Sequence, residues 1–207
     1  MLKQEKTSKG VQERIGAALA FIPLRPNHWT VLALFLGAIG AITIALMHDL
    51  VLGLLFFIVG GALDMVDGAV ARARNEATKF GGFLDGVSDR FMEALFLFAF
   101  MFYPLPTILI DPKIWLAGLI FLGTCMPSYI RAYADHNGLL SAAKAKEMGG
   151  IFERSERLIL ITLGLIAGIV FSMEYFVGAI ILAVFLSAIT VLQRIAFVMH
   201  NNEENKA

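Results

Sequence analysis

Six apolar runs, each about as long as the hydrocarbon core of a bilayer is thick, fill most of this chain. They cover residues 29–47, 51–71, 82–103, 115–132, 158–172 and 175–200. A run of roughly 18 or more apolar residues reads as a membrane-spanning helix. The fifth run is the shortest and reaches that length if its helix starts at Glu153. With 58% hydrophobic and 16% charged residues among 207, the chain holds more apolar surface than a soluble domain of this size can bury. The composition excludes a disordered or fibrous chain. The single Cys125 excludes an intramolecular disulfide and a cysteine-rich metal site. The expected fold is an all-α polytopic membrane protein of six transmembrane helices.

Charge placement sets the expected orientation. Seventeen basic and seventeen acidic residues cancel, so net charge gives no sign of a nucleic-acid partner. The loops after the first, third and fifth runs hold His48-Asp49, Asp111-Pro112-Lys113 and Met173-Glu174. Every Lys and Arg except Lys113 falls on the other side. The positive-inside rule then puts both termini, and any chemistry, on the cytoplasmic face of the cell membrane. Residues 29–200 form the expected membrane domain, between a cytoplasmic segment 1–28 and a cytoplasmic tail 201–207. Residues 6–20 mix basic residues with an apolar stripe, as a helix lying on the membrane surface does. They are too charged for a cleavable signal peptide. Arg25-Pro26-Asn27 breaks the chain before the first span, because proline disfavours helix in the residue preceding it.

The second and third runs are interrupted by acids. The second ends FFIVGGALDMVDGAVARAR, and the third begins GGFLDGVSDRFMEALF. Asp64 and Asp67 are three apart and Asp85 and Asp89 four apart, so each pair shares a helix face. Two consecutive helices thus aim two carboxylates each from their cytoplasmic ends. Interfacial charges paired with Arg72, Arg74, Lys79 and Arg90 are the blander reading. Aspartate is too short to snorkel far, and each costs about 2.5–3.5 kcal/mol at a helix centre. Four neighbouring carboxylates repel unless protonated or bridged by cations. Hard oxygen ligands without His or Cys point to Mg²⁺, Mn²⁺ or Ca²⁺ rather than Zn²⁺, and four carboxylates suffice for two metals.

The pattern Asp64-x2-Asp67-Gly68-x2-Ala71-Arg72-x8-Gly81-x3-Asp85-x3-Asp89 resembles, position for position, the signature of the CDP-alcohol phosphotransferase family. The resemblance implies a six-helix membrane enzyme, functioning as a homodimer. Such an enzyme moves a phosphatidyl-type group from a CDP-linked lipid to a second alcohol and releases CMP. It further implies that Asp64, Asp67, Asp85 and Asp89 hold two Mg²⁺, with Mn²⁺ as substitute, and that Asp89 is the general base. Gly68, Ala71, Arg72, Asp64 and Gly81 would contact the CDP. The chemistry is consistent: cations and arginine neutralise a diphosphate, and an alcohol nucleophile needs a carboxylate to take its proton.

The fourth span ends MPSYIRAYADHNG and the fifth begins FERSERLILI. Arg131 and Arg154, with Arg194 late in the sixth span, are embedded in apolar sequence and make a candidate site for an acceptor phosphate. Arg157 reads equally well as a topology marker. The SYIRAYA, FERSERL and late QR elements look like the branch of the family that uses inositol phosphate. Glycerol phosphate stays open as acceptor, and serine fits less well because it has no phosphate to engage the arginines. Asn27 and Thr30 resemble a family element that lines the nucleotide pocket, and helix capping explains them as well. A divalent-cation transporter is the competing class, since intramembrane acids also mark ion paths. The outer halves of the spans are uninterruptedly apolar and lack the broken helix pairs of transporters.

Overall fold

Pro26 opens the first described helix, where its missing N–H removes a donor that no carbonyl would have met. The computed structural model describes residues 25–74 and 76–204. The expected surface helix over residues 6–20 lies outside these. Helix α1 spans Pro26–Ile42 and widens into a π-helical turn at Thr43–Met47. His48 makes the corner in the left-handed region, at φ 55°. Asp49 then caps α2, Leu50–Ala73, by accepting from the Leu52 amide at 2.9 Å. Thr78 caps α3, Lys79–Ala99, by accepting from the Gly81 amide at 2.9 Å. Each corner is set by a short oxygen-bearing side chain that satisfies an orphan helix-end amide.

Asp111 caps α4, Pro112–Leu119, which runs through a π-helical stretch Ile120–Cys125 into α5, Met126–His136. The wide turn has a local cause. Pro127 cannot donate to the preceding turn, and a π-helical segment absorbs that gap without ending the rod. Ser141 caps the short α6, Ala142–Glu147. Helix α7 spans Arg154–Val170 and α8 spans Met173–Glu204. The last helix therefore continues past residue 200, where the sequence suggested a tail. No β-strand occurs among the described residues.

The chain divides into two compact units between Tyr103 and Pro104. In the first, α1 packs on both α2 and α3. Its contact with α2 is a close one: a Cβ on Gly40 would lie 2.9 Å from the carbonyl oxygen of Gly53. Small residues bring membrane helices together in this way, because lipid gives no hydrophobic drive to separate apolar faces from it. In the second unit, α8 packs on α4, α5 and α7, over a core that includes Leu116, Leu119, Leu165, Phe176 and Ile180.

Among the described residues, four helical stretches are long and apolar enough to cross a membrane: Pro26–Met47, Leu50–Ala73, Pro112–His136 and Met173–Asn202. Large apolar side chains face outward along them, among them Phe35, Val51, Ile58, Phe121 and Leu192. The described residues are all-helical, and these four stretches have the length and apolar character of membrane spans. Helices α3 and α7 occupy the places expected of the third and fifth spans, but α3 carries charge through its first half and α7 is 17 residues long.

Candidate active site

The four aspartates come from the C-terminal part of α2 and the N-terminal part of α3, in the first unit. Carboxylate oxygens of Asp64, Asp67 and Asp85 lie within 4.8 Å of one another. Asp89 lies one turn further along α3. It accepts from the Arg90 guanidinium at 3.2 Å. Asp67 is buried, and its Oδ2 accepts a hydrogen bond from the Thr30 hydroxyl on α1. Asp64 Oδ1 is buried with no hydrogen-bond partner. Three converging carboxylates, one with an unsatisfied buried oxygen, fit a hard divalent cation.

The helix continues into the candidate CDP contacts. The Arg72 guanidinium folds back over Gly68, where an added Cβ would lie 3.2 Å from Nη1. Gly68 thus leaves space one turn beyond Asp64, and that space borders a guanidinium. Ala71 is half-buried on the same helix. Gly81 sits in the first turn of α3, where an added Cβ would lie 3.7 Å from Asn27 Oδ1. Asn27, read from sequence as a pocket or cap residue, thereby sits beside the start of α3. Thr30 has a different partner, the carboxylate of Asp67.

The candidate acceptor arginines lie in the second unit. Arg194 on α8 is buried, only 5% exposed. It donates to the Pro127 carbonyl at 2.6 Å and to Glu153 at 3.4 Å. Arg131 on α5 is half-buried and donates to the Met148 carbonyl at 2.9 Å. The charges of Arg131 and Arg157 both bear on Arg194. The Nε atoms of Arg131 and Arg194 are buried without a hydrogen-bond partner. Arg154, the first residue of α7, is half-buried. Arg157 joins this cationic group with 4% exposure, its Cδ only 2.9 Å from where a Cβ on Gly123 would stand. The sequence left Arg157 undecided; its signal was the three-residue spacing from Arg154, which keeps both near one face.

Residues 24–199 match the sequence profile of CDP-alcohol phosphatidyltransferases, and the chain belongs to that family. It is an enzyme of the phospholipid-synthase class. Over 184 residues it is 34% identical to the archaetidylinositol phosphate synthase of Pyrococcus horikoshii, covering 88% of each chain. Over 154 residues it is 34% identical to the phosphatidylinositol phosphate synthase of Mycobacterium tuberculosis, covering 72% of this chain and 66% of that one. The crystal structure of a Mycobacterium tuberculosis phosphatidylinositol phosphate synthase with CDP-DAG bound matches with a TM-score of 0.74. The identity is 26%, over 91% of this chain and 93% of that one. The same enzyme in complex with manganese and citrate matches with a TM-score of 0.72, over 91% and 88% of the two chains.

Proposed function

We propose that this chain is an integral-membrane phospholipid synthase. It moves a phosphatidyl-type phosphate from a CDP-linked lipid to a hydroxyl of inositol phosphate and releases CMP. The observation that carries the reading is the cluster of Asp64, Asp67 and Asp85, whose carboxylate oxygens lie within 4.8 Å of one another, with Asp89 one turn further along α3. Relatives named for inositol phosphate products support the acceptor. They differ in the lipid named, archaetidyl in one and phosphatidyl in the other, so either tail fits the reading.

In this reading Asp64, Asp67, Asp85 and Asp89 hold two Mg²⁺, with Mn²⁺ as substitute. The chemistry supplied by such cations is neutralisation of the diphosphate charge. Gly68, Ala71, Arg72, Asp64 and Gly81 receive the CDP. Gly68 and Ala71 leave room, and Arg72 adds a charge-assisted contact to phosphate. Asp89 accepts the proton of the attacking hydroxyl. The acceptor oxygen bonds to the lipid-side phosphorus as the bond from that phosphorus to the CMP oxygen breaks. CMP leaves with the electron pair, and the proton rests on Asp89 until solvent takes it. Arg131, Arg154 and Arg194 hold the acceptor phosphate, with buried Nε–H groups of Arg131 and Arg194 as donors in want of a partner. An unsatisfied buried donor is costly, and a phosphate oxygen removes that cost.

The proposed topology has six spans, with α3 and α7 completing the four apolar stretches. Both termini and the chemistry face the cytoplasm, and the protein works as a homodimer. The decisive assay is CMP release by the purified protein in detergent with Mg²⁺ and either CDP-diacylglycerol or CDP-archaeol. Inositol phosphate, inositol, glycerol phosphate and serine are offered as acceptors. Turnover with inositol phosphate is expected. Turnover with glycerol phosphate instead overturns the acceptor, and no CMP from any combination overturns the reaction.

A further inference from the structure

We infer that Thr30 is a positioning residue for the metal site: its hydroxyl fixes the Asp67 carboxylate in the orientation that a divalent cation requires. The inference rests on the reading that Asp67 is a metal ligand. Thr30 lies on α1 and Asp67 on α2, 37 residues apart in sequence, and the Thr30 hydroxyl donates to Asp67 Oδ2. Both are nearly sealed from solvent, with 2% and 5% exposure. The pair sits next to an apolar cluster of Trp29, Val66 and Val70, against which Leu63 packs.

The physical argument has three steps. A helical threonine is stiff at χ1, with few rotamers open to it. Its hydroxyl is therefore a donor held nearly in place by the α1 backbone. An aspartate carboxylate turns about χ2 in a broad, two-fold well, and a fixed donor on one oxygen removes that freedom. A carboxylate has about four lone-pair sites, so one hydrogen bond leaves room for a cation. Ligand carboxylates are commonly held this way, and removing the holding partner typically costs about 10- to 100-fold in metal affinity. The pairing also uses the close α1–α2 packing: without it, the hydroxyl could not reach across to α2.

The test is Mn²⁺ binding by the purified full chain, read by electron paramagnetic resonance of free Mn²⁺, with CMP release as a second readout. Thr30→Val keeps the side-chain shape and removes the donor. Thr30→Ser keeps the donor. Thr30→Val is expected to raise the Mn²⁺ dissociation constant about tenfold or more. The Mn²⁺ concentration for half-maximal activity should move by the same factor. Thr30→Ser should return both to within about threefold of the wild type, and melting temperatures in EDTA should stay close for all three. Equal Mn²⁺ affinity in Thr30→Val and wild type overturns the inference. So does a serine variant as weak as the valine one, since the hydroxyl is then not what matters. Should Thr30→Val fail to fold, Thr30→Ala carries the same comparison. Asp64→Asn separates the two failures. If wild type and Asp64→Asn bind Mn²⁺ equally, the metal site itself is misassigned, and the Thr30 role falls with it.

Discussion

The Arg194 guanidinium on α8 donates to the carbonyl of Pro127 at 2.6 Å, across 67 residues of sequence. That carbonyl lies in the first turn of α5, just past the π-helical stretch. Arg194 is thus a tie between helices as well as a charge, and its Nε–H has no partner. Arg194→Ala should therefore do two things. Loss of the buried hydrogen bond should destabilise the fold by about 1–3 kcal/mol, read as a lower melting temperature in detergent. Loss of a phosphate contact should raise the apparent KM for the acceptor about ten- to a hundredfold. Arg72→Ala should show the opposite substrate pattern, weakening CDP-lipid and sparing the acceptor. If neither substrate dependence changes in Arg194→Ala, its role is structural alone.

Metal dependence follows from the donor set. The Asp64, Asp67 and Asp85 oxygens within 4.8 Å of one another are hard ligands, which suit Mg²⁺ and Mn²⁺. EDTA should abolish CMP release and either ion should restore it. Undiminished turnover in excess chelator would rule out a metal role for this cluster.

The gathering of Asp64, Asp67 and Asp85 was legible in the sequence because the information there is local. Spacings of three and four put Asp64 with Asp67 and Asp85 with Asp89 on shared faces, and a short connection forced α2 and α3 to present those faces together. The break at Arg25-Pro26-Asn27 was legible because proline acts on its immediate neighbour, whereas the capping by Asp49 and Asp111 was seen only in the structure. Contacts across long separations were not legible. Nothing near Thr30 in sequence names Asp67 as its partner, and nothing near Arg157 shows that it runs past Gly123 toward Arg194. The π-helical stretch before Pro127 was hidden too, because the apolar run there reads straight through it.

The α1–α2 contact should be intolerant of even one methyl group. A Cβ at Gly40 would lie 2.9 Å from the Gly53 carbonyl oxygen, with the Phe56 and Phe57 side chains 3.1 and 3.0 Å away. The nearest of these is backbone, which cannot rotate aside. Gly40→Ala should destabilise by about 1–3 kcal/mol, as overpacking typically does. Gly61, where an added Cβ meets nothing within 4 Å, is the control: Gly61→Ala should leave the melting temperature unchanged or slightly raised, by its better helix propensity. Equal melting temperatures for both variants would show that α1 can shift at no cost.

Asp89 carries the heaviest chemical assignment, and its surroundings make the substitution informative. It accepts from the Arg90 guanidinium at 3.2 Å. Asn at this position keeps the shape and keeps an oxygen for Arg90. The fold and the three-carboxylate cluster should survive. What is lost is the capacity to accept a proton from the acceptor hydroxyl, and general-base removal typically costs about 10²-fold or more. Asp89→Asn should therefore cut kcat by about that factor. It should weaken CDP-lipid binding less than Asp64→Asn does, because Asp64 holds both a cation and the nucleotide in the proposed site. Binding and turnover are measured on the same preparations, so a folding defect would show in both. Normal turnover in Asp89→Asn would move the base elsewhere, and Asp85, one turn back on the same face of α3, would be the next candidate.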